Sequence, residues 1–376
     1  MPVSPQDEPQ PASDERTVAE VGEDALVRAV VRRLRRAATT TGPARVLVGP
    51  GDDAAVLGLD GPLVTSTDTL VEGVDFRTDW SGAQEVGRKA AVQVLADVEA
   101  MGAVGVGLLV SLVVPGRTPV GWCLALADGL ADEAERAGVA VLGGDVADGG
   151  ALVVTGTSFG VLTGTAPATT RAGARPGDVV ALGGPVGASA AGLALLQSGR
   201  RSGQGLPADL AAAVDRVLAV HRAPAVDHTA GVRAREAGAG ALIDVSDGLV
   251  RDATRLARAS GVELRLASGP LAPDDDLLRV AALLERSAAQ ALEWVLTSGE
   301  EHAMLGCFPP GTTLPTGFRV VGEVAAGGDA AAGADGAAGA DGSDGAGGDG
   351  PAPAVVTLDG VPWHGPGGWT HYGRRP

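Results

Sequence analysis

Apolar positions along the chain change period repeatedly between helical and extended spacing. Leu26, Val27, Val30, Val31 and Leu34 recur at helical intervals, which predicts a helix over about 23–36. Short apolar runs at 46–48 and 63–65 predict strands that run into Gly49-Pro50-Gly51 and Ser66-Thr67-Asp68. A helix over 86–101, a β-branched strand over 106–114 and a helix over 119–137 come next. A strand at 139–142 ends at Gly143-Gly144-Asp145, and another spans 152–162. Gly173, Pro176 and Gly177, close after Arg171, mark a junction. A second α/β alternation begins there. Its strands are predicted at 179–182, 241–243, 262–264, 318–324 and 355–358, with helices starting near Ala188 and Gly248. This pattern predicts a mixed α/β (α+β) protein with domains at 17–165 and 166–376.

Residues 1–16 are polar and proline-rich and are expected to be a disordered tail. The stretch 325–354, made almost wholly of Ala, Gly and Asp, is read as a disordered insertion between two strands. The 376 residues suit two domains, and a formal charge of −17 argues against nucleic acid and anionic membranes as partners. Lys89 is the chain's sole lysine; every other basic side chain apart from histidine is arginine. Cys123 and Cys307 make neither a disulfide framework nor a zinc site, which fits a reducing cytoplasm. The N-terminus lacks the pattern of a signal peptide, and no apolar run is long enough for a membrane span.

Five acidic motifs carry the candidate chemistry: Gly51-Asp52-Asp53, Ser66-Thr67-Asp68-Thr69, Ala96-Asp97-Val98-Glu99, Gly143-Gly144-Asp145 and Asp244-Val245-Ser246-Asp247-Gly248. Carboxylates gathered at strand ends would hold hard cations, and those cations hold phosphates. Taken singly, Asp52-Asp53 reads first as a turn and Ser66-Thr67-Asp68 first as a helix cap. Asp97 lies at the edge of an apolar helix stripe beside Gln93 and Lys89, so it needs either Lys89 or a metal as partner. Alternation points Asp244 and Ser246 to one side and leaves Asp247 to cap the next helix. No Gly-x-x-x-x-Gly-Lys-[Ser/Thr] loop occurs, which excludes a P-loop kinase, and the protein-kinase motif set is absent. Gly183-Gly184-Pro185-Val186-Gly187 lacks dinucleotide-loop spacing and is read as close strand–helix packing.

In order, the motifs resemble the thiamine-monophosphate kinase family of the aminoimidazole-ribonucleotide-synthetase-like superfamily. The carrying stretches are Gly49-Pro-Gly-Asp-Asp-Ala-Ala, Ser66-Thr-Asp-Thr-Leu-Val-Glu-Gly, Ala96-Asp-Val-Glu-Ala-Met-Gly-Ala, Leu142-Gly-Gly-Asp, Thr170-Arg-Ala-Gly-Ala-Arg-Pro-Gly-Asp, Ile243-Asp-Val-Ser-Asp-Gly-Leu and Ser298-Gly-Glu-Glu. The resemblance implies a two-domain fold whose N-terminal sheet pairs across a homodimer. It implies ATP-dependent phosphorylation of thiamine monophosphate to thiamine diphosphate, the last step of that cofactor's synthesis, with several Mg2+ ions. It further implies that Asp53, Ser66, Thr67, Asp68, Asp97, Asp145, Asp244 and Asp247 hold metal, and that Gly144, Asp145, Arg171 and Ser246 meet ATP. No side chain is expected to act beyond these metal and phosphate ligands.

Glu300, and an aromatic residue that is either Trp369 or Tyr372, would meet the thiamine moiety. The chain departs from the family at Asp75-Phe76, where His-Phe is usual, and at Thr297-Ser298-Gly299-Glu300-Glu301, where the usual stretch is Ser-Gly-Gly-Glu-Asp. Asp75 would thus stand at a substrate-contacting position. The alternatives are another ATP-dependent enzyme of the superfamily and a non-catalytic nucleotide- or cation-binding relative.

Overall fold

The computed structural model describes residues 14–37, 39–327, 355–365 and 368. The tail 1–13, most of the Ala/Gly/Asp stretch, Trp369 and Tyr372 lie outside the described residues. The chain opens with α1 (Val18–Val21) and α2 (Glu23–Leu34), then a 3-10 turn at Arg35–Ala37. A two-stranded antiparallel hairpin follows, β1 (Ala44–Val48) and β2 (Val56–Leu59).

Four strands form the first large sheet: β3 (Leu63–Val71), β4 (Val104–Val114), β5 (Ala140–Asp148) and β6 (Val153–Val161), in the order β3-β6-β4-β5. α3 (Ala83–Ala100) and α4 (Val120–Ala137) cover one face of it. The two helices approach closely because each contributes a glycine at the crossing. A Cβ on Gly87 would lie 2.1 Å from the Leu126 carbonyl oxygen, and one on Gly129 would lie 2.0 Å from that of Gln84. The other face is open in part: Leu63 is 51 % exposed and Leu109 36 % exposed, while Ala44 and Leu59 of the hairpin pack on Val161 and Phe159 at one end.

The second large sheet has seven strands, β7 (Val179–Gly183), β8 (Ala241–Val245), β9 (Val262–Leu266), β10 (Ala303–Phe308), β11 (Phe318–Ala326), β12 (Val356–Leu358) and β13 (Val361–Pro362). Its order is β13-β12-β9-β11-β7-β10-β8, antiparallel except at β12/β9. Helices α5 (Ala188–Gln197), α6 (Ala208–Arg222), α7 (Ala230–Glu236), α8 (Leu249–Ser260), α9 (Asp275–Leu283) and α10 (Ala288–Thr297) accompany it. Each sheet has its own apolar core, one built from 26–154 and the other from 174–356.

α3 joins the two halves. It packs on β3 and β6 on one side and against β8 and α7 on the other. Beneath its C-terminal end a small cluster of Ala100, Ala230, Leu242, Met304 and Phe308 continues into the second sheet. A buried charge node adds to the joint. His228 meets Glu99 of α3 through Nδ1 at 2.8 Å and Glu133 of α4 through Nε2 at 2.9 Å. Burial alone would push the imidazole down, but the two carboxylates outweigh it and raise it to about 9.

Two predicted element ends are corrected. Ser66-Thr67-Asp68 and Gly143-Gly144-Asp145 do not follow strands; β3 and β5 run through them. Polar residues of that length read as turns in isolation, yet here each finds a ladder partner, Asp68 opposite Gly156 and Asp145 opposite Ser111.

Candidate active site

One face of α3 carries Lys89, Gln93 and Asp97 at successive i, i+4 steps, so all three look along one line. Each has a separate partner. Asp97 Oδ2 accepts from Ser66 Oγ at 2.6 Å, and Asp68 Oδ2 accepts from Gln93 Nε2 at 2.5 Å. Lys89 Nζ donates to Glu300 Oε1 at 2.7 Å and to the Asp75 carbonyl at 3.2 Å. Lys89 is therefore not the partner of Asp97. Burial, and then the negative charges of Asp244 and Asp68, push the Asp97 carboxyl up to about 6. Three carboxylates thus share a region with no lysine among them.

The seven-stranded sheet supplies Asp244 near the end of β8, buried and 3.1 Å from His302 Nδ1. After β8 the chain turns into α8, and Asp252 holds the turn. Its Oδ2 accepts the N–H groups of Ser246, Asp247 and Gly248 at 3.1, 3.0 and 3.1 Å. This corrects the expected cap: Asp247 caps nothing and instead meets Arg255 at 2.6 Å. The loop from α10 to β10 lies against this turn. Glu300 N donates to the Ser246 carbonyl at 3.0 Å, and a Cβ on Gly299 would lie 1.8 Å from that same oxygen. Glu300 and His302 sit at φ 68° and 52°, a left-handed backbone that costs energy for residues with side chains. Such strain persists where surrounding contacts enforce it.

The structure divides the residues singled out in the sequence. Ser66, Asp68, Asp97 and Asp244 come together, with Ser246 and Glu300 beside them. Thr67 points the other way, to the open face of the sheet, where it bonds the Gly156 carbonyl and Thr157. Ladder register puts Asp145 in one row with Ser111, Thr155 and Thr69, on that same open face. Gly144 falls in the row of Asp68, three strands away, roughly 14 Å at about 4.8 Å per strand. Asp53 lies exposed on the β1–β2 turn, its amide bonded to Asp52. Arg171 is exposed, its carbonyl bonded by Ser260 Oγ. The Asp75 carboxylate accepts the Val71 N–H at 2.8 Å and so closes its own turn. Trp369 lies outside the described residues, but Gly368 just before it sits against the Asp247–Gly248 backbone.

Gln93, Lys89, His302 and Asp252 complete the site. Gln93 and Lys89 were visible as neighbours of Asp97 on a helical wheel. Nothing in local spacing marks His302, whose partner Asp244 comes from another segment, while Asp252 holds the entry turn of its own helix four to six residues back.

Among the described residues, no three His, Cys, Asp or Glu side chains form a ready-made metal cage. That suits magnesium, which binds through one or two carboxylates together with water and substrate phosphates. Asp68, Asp97 and Asp244 offer hard, anionic oxygens whose mutual repulsion a divalent cation would relieve.

A family model described as AIR synthase related protein, N-terminal domain, matches residues 51–162. That match sets the class: an AIR-synthase-related domain contains the α3 row and the sheet beneath it. A thiamine-monophosphate kinase of Mycobacterium tuberculosis is 39 % identical over 364 residues, covering 96 % of this chain and 95 % of the relative. One from Corynebacterium glutamicum is 37 % identical over 84 % of this chain and 90 % of its own length. The crystal structure of a thiamine-monophosphate kinase from Stenotrophomonas maltophilia superposes with a TM-score of 0.72 at 26 % identity, over 89 % of this chain and 97 % of that one. The chain belongs to the thiamine-monophosphate kinase family.

Proposed function

We infer that this chain transfers the γ-phosphoryl group of ATP to the phosphate of thiamine monophosphate, giving ADP and thiamine diphosphate. The observation that carries this reading is the meeting of Asp68 and Asp97 from one domain with Asp244 from the other, next to Glu300. Donor and acceptor are both polyanions, so the obstacle is bringing them together. Mg2+ at the three carboxylates would neutralise phosphate charge and align the two substrates. The protein's own part is positional. Ser66 orients Asp97, Gln93 orients Asp68, and Asp252 fixes the turn that presents Ser246. Arg171 is exposed at the far end of α8 from that turn, where Ser260 bonds its carbonyl; a fork of donors to a phosphate is the role the family resemblance gives it. The attacking phosphate oxygen already carries charge, so no separate base is required. Pure protein incubated with ATP, Mg2+ and thiamine monophosphate should form thiamine diphosphate; turnover of a different phosphate acceptor with none of this product would overturn the reading.

The active unit is read as a homodimer. Asp145 and Thr67 face away from the carboxylate group, on a sheet face that leaves Leu63 and Leu109 exposed. A second sheet laid on that face would cover the apolar side chains and give Asp145 and Gly144 a role in nucleotide binding. Sedimentation should give the mass of two 37.1 kDa chains, and a monomer at micromolar concentration would remove this part of the proposal. Among the described residues no helix is long and apolar enough to cross a membrane, and both cysteines are free and buried. A cytoplasmic setting is read from the thiols.

A further inference from the structure

We propose that Lys89 is a positioning residue that fixes the Glu300 carboxylate for substrate recognition, and that arginine cannot replace it. This rests on the reading of Glu300 as a contact to thiamine monophosphate. Glu300 lies on a left-handed backbone between a helix and a strand, so its own segment does not hold the side chain. Its orientation comes from three outside groups. Lys89 Nζ meets Oε1 at 2.7 Å, Ser189 Oγ donates to Oε2 at 3.1 Å, and His221 Nδ1 lies 3.4 Å from Oε2. Both oxygens are thereby committed on one side. What remains of the carboxylate, 35 % exposed, presents its free lone pairs in a single direction.

Lys89 alone among these reaches across from the first domain. It also bonds the Asp75 carbonyl, so it ties together the two loops assigned to the substrate. With the ammonium in place the pair is neutral, and Glu300 serves the substrate as an oriented hydrogen-bond acceptor more than as a bare charge.

The choice of residue supports a specific role. Of 29 lysines and arginines, this is the one lysine. Its side chain is 3 % exposed, and its point-like donor on a flexible stem serves two acceptors on different loops. A planar guanidinium in the same space would overpack the interface.

The test uses Lys89→Met, Lys89→Arg and Glu300→Gln in the full chain. Both Lys89 variants should raise KM for thiamine monophosphate tenfold or more and leave KM for ATP within twofold. In Glu300→Gln background the second substitution should add little. A purely structural role would instead move both KM values together. Should a variant fail to fold, the sole lysine provides a second measurement. Selective 13C-lysine labelling of the wild type gives one side-chain Cε signal, expected to shift on adding thiamine monophosphate and in Glu300→Gln. A wild type that makes thiamine diphosphate while Lys89→Met or Lys89→Arg keeps its KM overturns the proposal, as does a lysine signal indifferent to both changes. A wild type that makes no thiamine diphosphate strikes the functional reading instead, and the response of the signal to Glu300→Gln then decides the pairing on its own.

Discussion

Asp97→Asn should cut thiamine diphosphate formation by about 10³-fold and at the same time raise the melting temperature of the metal-free protein. The kinetic loss corresponds to about 4 kcal/mol, a reasonable size for losing a charged ligand at a cation that neutralises transferring phosphate. The stability gain has a separate origin. In the folded protein the Asp97 carboxyl titrates near 6, above its ordinary 3.8, because of burial and then of Asp244 and Asp68. Between those two pH values the folded state holds a proton that the unfolded chain has released. Ionised Asp97 therefore opposes folding, an effect that grows as pH rises through this window and is complete by pH 7. Its size is roughly 2–3 kcal/mol, less whatever solvent screening removes. Asparagine still accepts the Ser66 hydroxyl but carries no charge. A rise of about 2–6 °C is expected without magnesium, and the variant should lose the gain if measured at pH 4. Magnesium should stabilise the wild type more than the variant. A near-normal rate would remove Asp97 from the cation site, and a lowered melting temperature in metal-free buffer would contradict the electrostatic account.

That prediction turns on a question the sequence left open. Helical spacing placed Lys89, Gln93 and Asp97 on one stripe, but a stripe does not say which neighbour pairs with which. Lys89 was an equally good partner for Asp97 until Glu300, from more than two hundred residues away, proved to hold it. The core was largely legible, because long apolar periods such as those of α3, α4 and β4 decide their own type. The polar middles of β3 and β5 were not, since Ser66-Thr67-Asp68 and Gly144-Asp145 become strand only through ladder partners on β6 and β4. The same strands explain why motifs read as one group separate in space. A strand turns successive residues to opposite faces, so Asp68 looks toward α3 while its neighbour Thr67 looks away. Motif order identified the family; only register could say that Asp145 shares the face of Thr67 and not that of Asp97.

Asp252 secures the entry turn of its own helix, and Asp252→Ala should destabilise the protein by about 3–5 kcal/mol. The side chain is fully buried, accepts three successive backbone N–H groups from Ser246, Asp247 and Gly248, and meets Arg255 at 2.6 Å. Burial and the nearby Asp244 push its carboxyl up to about 6 in spite of Arg255 and those donors. The charge itself is thus poorly tolerated, and the value of the residue lies in its accepting oxygens. Alanine would leave three backbone donors without a partner in a dry place, each lost bond costing the desolvation of the orphaned group, while Arg255 keeps Asp247. Asp252→Asn keeps one accepting oxygen without the charge and should cost only about 1–2 kcal/mol. The loss should also reach the active site, because the turn held by Asp252 fixes Ser246 and, through the Ser246 carbonyl, the backbone of Glu300. In Asp252→Asn, where the fold survives, KM for ATP should rise severalfold. Urea unfolding of the two variants supplies the check. Alanine and asparagine forms of equal stability would mean that the turn is held by something other than the Asp252 oxygens.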